Sequence, residues 1–248
     1  MKKEKLTSKK LVTAAILGAI TVVLSITPLG LIPLGLINAT TMHIPVIIAA
    51  IIEGPLVGAL VGLIFGVSSL ANAILRPNPI SFVFYNPLIS ILPRILIGIT
   101  SYYVYRSTSR LDKNSLKTLT KVLWSLILIG LAYLLYKNIK NAVSPINIIL
   151  VVILLAITIG LLVYSIKNPS LDFPVALGAF VGSMTNTVLV LGGIYLIYAE
   201  KYVKAINIPL ENAKTAILGV SITSGIPEAI LSVILATSVV KAIKKTRR

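Results

Sequence analysis

The sequence predicts an all-α, polytopic membrane helix bundle. Three observations carry that prediction. Hydrophobic residues fill 56% of the 248 positions, and mean hydropathy is +0.98. Several apolar stretches reach the roughly 20 residues that a helix needs to cross a bilayer core. The basic residues are unequally divided between alternate loops. No polar block is long enough for a soluble domain, so residues 1–248 read as a single integral membrane domain.

The first helix is expected from Leu11 to Ile26. No small-x-small cleavage site follows it, so it reads as a retained helix rather than a signal peptide. Pro28 to Thr41 is apolar but broken by Pro28, Gly30, Pro33 and Gly35, which predicts an outer loop capping a cavity or dipping into the membrane. The second helix, His43 to Ile52, is too short to span alone. A turn at Glu53-Gly54-Pro55 leads into a third helix ending near Leu70. Its Gly58, Gly62 and Gly66, four residues apart, let another helix approach closely. Asn72 to Asn86 reads as a polar outer loop. The fourth helix runs from Pro87 to Tyr105, and Pro93 predicts a kink beside Arg94.

A basic loop, Arg106 to Lys121, precedes two plain apolar segments, Val122–Tyr136 and Ile146–Ile166. The last two helices are placed at Phe173–Tyr198 and Ala213–Val240, for eight segments in all. Tyr102, Tyr103, Trp124 and Tyr164 should mark the inner membrane interface. Tyr133, Tyr136, Tyr195, Tyr198 and Tyr202 should mark the outer one. No internal repeat is evident, which weakens an inverted-repeat secondary transporter.

The net charge of +16 would suit nucleic acid, but its placement argues for a membrane. Sixteen of the 23 Lys and Arg fall in 2–10, 106–121, Lys167 and 241–248. Six fall in the opposite loops (Arg76, Lys137, Lys140, Lys201, Lys204, Lys214). This bias predicts a multi-pass protein of the cell membrane with both termini cytoplasmic. The basic ends would meet anionic headgroups, not nucleic acid.

Enzyme classes find little support. There is no cysteine, one histidine and only seven acids, so no thiol catalysis, histidine cluster or metal-protease motif can be assembled. No catalytic residue, metal site or cofactor is expected. Arg94 is the informative residue, because a guanidinium inside a membrane segment needs a partner, a cavity or an anion. By helical rise, Arg94, Asn186 and Glu228 converge in the outer half or centre of the bundle. Either Arg94 and Glu228 form an ion pair that locks two helices, or Arg94 faces an anionic ligand while Glu228 orients it or balances its charge. His43 is expected as an N-terminal cap or interface residue, or as a hydrogen-bond donor to the ligand. Asn72, Arg76, Asn86 and Tyr85 complete the candidate substrate-binding set, and Phe82 and Phe84 are candidates for lining the cavity.

Several blocks together resemble the substrate-binding S components of energy-coupling-factor (ECF) vitamin transporters. They are His43-Ile-Pro-Val-Ile-Ile-Ala-Ala-Ile-Ile-Glu-Gly-Pro55, the glycine-striped third helix, Ser81-Phe-Val-Phe-Tyr-Asn-Pro87, Pro93-Arg94-Ile-Leu-Ile-Gly98 and Ala15-Ile-Leu-Gly-Ala19. The resemblance implies a six-helix core, within 10–106 and 173–242, with the substrate site near its outer end. It implies that Ala15 and Ala19 dock on a membrane coupling protein driven by two cytoplasmic ATPases, the subunit toppling to deliver its vitamin. The apolar hairpin at 119–167 departs from the six-helix pattern as an insertion. The Pro-Arg-Ile-Leu-Ile-Gly region most resembles pantothenate-type members, and a buried arginine suits a carboxylate. Folate, riboflavin or another vitamin stays open as the ligand, as does a stand-alone secondary transporter.

Overall fold

The computed structural model describes residues 6–33, 38–141, 145–167, 169–207, 209–213, 217 and 224–246. Helix α1 (Ser8–Ile26) leads through a short 3₁₀ turn (Pro28–Gly30) into an antiparallel ribbon, β1 (Leu31–Pro33) with β2 (Asn38–Thr40). The segment expected as an outer loop capping a cavity or dipping into the membrane thus holds paired strands. Leu31 lies opposite Thr40, and Thr41 N–H donates to the Gly30 carbonyl at 3.0 Å to close the foot of the ribbon.

Helix α2 (Ile44–Glu53) and helix α3 (Pro55–Leu75) follow, with Gly54 between them at φ 107°, a left-handed backbone that a side chain would strain. Helix α2 is buried along nearly its whole length and sits at the centre of the core. A 3₁₀ segment (Ser81–Tyr85) precedes α4 (Pro87–Ser90), which breaks at Ile91 before α5 (Leu92–Thr108). The expected interruption beside Arg94 is therefore real, and Pro93 sits in the first turn of α5, where a missing N–H costs nothing.

Helices α6 (Lys113–Lys140) and α7 (Pro145–Lys167) form a hairpin. Helices α8 (Pro169–Ala205) and α9 (Ile226–Thr246) complete the bundle. Asp112 caps α6 by accepting from Ser115 N–H at 2.9 Å, and its bonds to Ser115 hold this exposed carboxyl below the usual range. Among the described residues, six spans are long and apolar enough to cross a membrane: Ser8–Ile26, Pro55–Leu75, Pro87–Thr108, Asn114–Lys140, Phe173–Ala205 and Ile226–Thr246. The protein is an all-helical, multi-pass membrane bundle apart from its small ribbon.

Several boundaries lie further out than the sequence suggests. Helix α3 continues to Leu75, which puts Asn72 on a helix rather than in a loop. Helix α6 begins inside the expected basic loop, and α8 runs past Glu200 and Lys201 to Ala205. The α-helical part of the last helix, Ile226–Thr246, follows a π turn at Ser224 and Gly225; of its expected start, Ala213 and Ile217 are helical, and 214–216 and 218–223 lie outside the described residues.

Packing orders these helices. Helix α1 lies on α2 and α3, α3 on α5, α5 on α8, and α8 on α9. The hairpin packs on α8 and α9. Trp124, expected in an aromatic belt, is instead fully buried with Ile127, Leu131, Val151 and Leu154. The side chain of Tyr164 lies outside the described residues. A second apolar cluster joins the far end of α8 (Ile194, Tyr202, Val203) to Val83 and Ile89. The beginning of α1 and the end of α9 lie at the opposite end of the bundle. There Thr13 donates to Glu53, and Lys244 Nζ donates to Tyr105 OH at 2.6 Å.

Candidate functional site

Helix α3 supplies one wall of a cavity of about 660 Å³, within the size range of small-molecule pockets. Phe65, Ser69, Asn72 and Ala73 recur at helical spacing, so one face of α3 presents them to the same space, and Arg76, the residue that caps the helix end, joins them. Asn186, Thr187, Val190 and Leu191 of α8, with Ser224, Gly225 and Glu228 at the start of α9, form the facing wall. Thr40, Phe84 and Arg94 are further lining residues.

Glycines set where Arg94 stands. A Cβ on Gly62 would meet the Arg94 carbonyl oxygen at 2.2 Å, and one on Gly98 would meet Gly58 C at 2.3 Å. Helices α3 and α5 therefore touch backbone to backbone just below the cavity, which holds Arg94 opposite Ser69 and Phe65.

Arg94 is 6% exposed. It donates through Nη1 to the Ile89 carbonyl and through Nη2 to Ser69 Oγ at 3.4 Å. Its Cζ lies 5.3 Å from the centre of the Phe65 ring and 5.5 Å from that of Phe84, so two aromatic faces share the cation. The guanidinium has five N–H donors. Nε has no hydrogen-bond partner among the described residues, and the two Nη atoms retain hydrogens beyond the bonds named.

Glu228, 8% exposed, accepts the backbone N–H of Thr40 at 3.1 Å. Among the described residues no ion pair joins it to Arg94. The two charges face one cavity without forming the helix-locking pair that the sequence left open.

Asn186 brings a buried Oδ1 that has no partner among the described residues. Asn72 and Arg76 brace the rim. Asn72 Nδ2 donates to Ser25 O at 2.7 Å, and Arg76 Nη1 donates to Ile26 O at 3.1 Å, tying the end of α3 to the end of α1. These bonds leave Asn72 and Arg76 lining the cavity but engaged with backbone.

Three other candidates are not among the lining residues. Asn86 caps α4, its Oδ1 accepting from Leu88 N–H at 3.0 Å. Tyr85 is 47% exposed. His43 occupies the position before α2 without a side-chain cap, and its Nε2 lies 2.6 Å from Ser232 Oγ. Of the aromatic pair, Phe84 lines the cavity while Phe82 packs edge-on against Tyr198. Sequence reasoning misses Ser69, Thr40 and Thr187. Ser69 is signalled by the spacing of Phe65, Asn72 and Arg76; Thr40 and Thr187 carry no such signal.

On α1, Ala15 and Ala19 are exposed, whereas Ala14, Gly18 and Thr21 are buried. A Cβ on Gly18 would press on Ile64 Cδ1 at 2.5 Å, so the helix turns one small-residue face inward and leaves the alanine pair outside.

A family model described as "ECF transporter, substrate-specific component" matches residues 9–144 and 123–240. The chain is also 27% identical over 226 residues to the pantothenic acid transporter PanT of Lactococcus lactis subsp. cremoris (strain MG1363). That alignment covers 85% of this chain and 80% of the relative.

Proposed function

The chain belongs to the family of ECF transporter substrate-specific components, and on that premise we propose that it captures a small carboxylate-bearing vitamin, pantothenate first, in the cavity beside Arg94. The observation that carries this reading is a buried guanidinium that lines a ligand-sized space and keeps N–H donors without a partner among the described residues. Such a group favours a carboxylate, whose two oxygens match its planar fork. The name of the relative in Lactococcus lactis supports pantothenate. Asn186 supplies a buried amide beside the ligand.

The bias of Lys and Arg supports an orientation with both termini cytoplasmic and the cavity opening outward. Release then depends on partners: a membrane coupling protein docked on the Ala15–Ala19 face, driven by two cytoplasmic ATPases, with the subunit toppling to deliver its cargo. The exposed alanine pair supports docking, because small side chains let a second helix lie close. The hairpin at 119–167 is proposed as an insertion in one membrane domain. Its packing on α8 and α9, away from α1, supports a docking face left clear.

Calorimetric titration with pantothenate, then folate and riboflavin, tests the capture. Wild type should bind one carboxylate vitamin tightly. Arg94→Ala should weaken that binding by about 2–5 kcal/mol, and Arg94→Lys should recover little, since an ammonium lacks the fork. Unchanged affinity in Arg94→Ala would remove Arg94 from the site. Folded protein that binds no vitamin would overturn the capture reading and direct attention to transport by the lone chain in liposomes.

A further inference from the structure

Residues 40–43 meet α9 at two points one helical turn apart. The Glu228 carboxylate accepts the Thr40 N–H at 3.1 Å, and both residues line the cavity. Three residues on, His43 is 1% exposed, with Nε2 2.6 Å from Ser232 Oγ. Ser232 directs its own hydrogen to the Glu228 carbonyl, 2.8 Å away. His43 Nε2 is therefore the donor of the shared bond, and the bare nitrogen is Nδ1, which has no partner among the described residues. Between these two points Thr41 ties back to the end of the preceding turn, N–H to Gly30 O at 3.0 Å and Oγ1 to Leu29 O at 3.1 Å.

We propose that Glu228 is a positioning residue, which fixes Thr40 and the wall it belongs to instead of meeting the charged group of the ligand. The division of labour follows from what each charge already holds. Arg94 lines the cavity with Nε unpartnered among the described residues and further Nη hydrogens to give, whereas Oε1 of Glu228 is engaged by a backbone amide of the same wall. A carboxylate accepting an N–H bond in a buried setting makes a strong, charge-assisted contact. Its loss also releases Thr40 from the Glu228 side chain of α9, while His43 and Ser232 keep the lower stitch. The inference rests on the capture reading for its ligand, but the stitch itself does not.

The test pairs two measurements on the intact protein: amide hydrogen exchange resolved at Thr40 without ligand, and dissociation of pantothenate by stopped flow. Glu228→Ala should speed both by about tenfold, the worth of a hydrogen bond to a charged group. Glu228→Gln, which keeps an acceptor oxygen in place, should recover most of both losses. Unchanged Thr40 exchange in Glu228→Ala overturns the proposal. So does a Glu228→Gln variant that restores exchange yet releases pantothenate as fast as Glu228→Ala, because the charge would then be meeting the ligand. If wild type binds no pantothenate, the capture reading fails separately, and the exchange measurement alone decides whether Glu228 positions Thr40.

Discussion

The α3–α5 contact and the α6–α7 hairpin are both antiparallel helix pairs, yet they are built on opposite terms. Between α3 and α5 the backbones meet: a Cβ on Gly62 would strike the Arg94 carbonyl, one on Gly98 the Gly58 peptide, and one on Gly58 would press on Ala50 of α2 and on Gly98 Cα. In the hairpin a Cβ on Gly160 would have nothing within 4 Å, and one on Gly130 would meet only Ile230 Cδ1, of α9, at 3.6 Å. There the buried contacts come from large side chains, Trp124, Leu131, Val151 and Leu154. Backbone contact leaves no rotamer to adjust, so it fixes Arg94 closely; side-chain contact can repack. The rigid seam lies under the candidate site and the adjustable one lies away from it.

The contrast breaks most sharply at Gly62. Gly62→Leu places carbon against a carbonyl oxygen that cannot rotate away, so α3 and α5 must part. We expect loss of folded, monodisperse protein in size-exclusion chromatography; a folded variant with wild-type affinity would show that the seam does not set the site. Next in size is Trp124→Ala, which should cost about 3 kcal/mol by leaving a cavity in the hairpin's buried cluster. Its thermal midpoint should fall while ligand affinity stays within about twofold; a parallel fall in affinity would mean that hairpin and cavity are coupled. Smallest is Gly160→Ala, expected to change stability by no more than about 1 kcal/mol, since it meets open space. A large loss in thermal unfolding there would reveal a contact that this helix makes elsewhere.

Much of the bundle is legible in the sequence because membrane helices declare themselves by length and hydropathy, and the glycine stripe by spacing. Boundaries fail where charge is read as an end. The Lys and Leu residues of 113–121 and the Glu and Lys residues of 200–204 are good helix formers, and their charge does not stop a helix, so α6 and α8 continue through them. The ribbon escapes notice because its strands are three residues long and include Pro33, too short for an alternating pattern. Arg94, Asn186 and Glu228 can be brought together by depth alone. Their partners cannot: the Glu228–Thr40 bond joins residues 188 apart and involves a backbone amide, which no side-chain pattern announces.

Helix α8 has a consequence for the membrane itself. Its apolar part, residues 173–199 ahead of the charged Glu200 and Lys201, is about 40 Å long at 1.5 Å per residue, against a hydrocarbon core of about 30 Å. Such an excess is absorbed by leaning the helix, thickening the surrounding lipid or standing proud of it. The segment beyond Leu191 shares one apolar cluster with Val83 and Ile89, so leaning it carries the cavity rim along. Bilayer thickness thereby becomes an input to the pose of the whole bundle, and acyl-chain length a way to turn it.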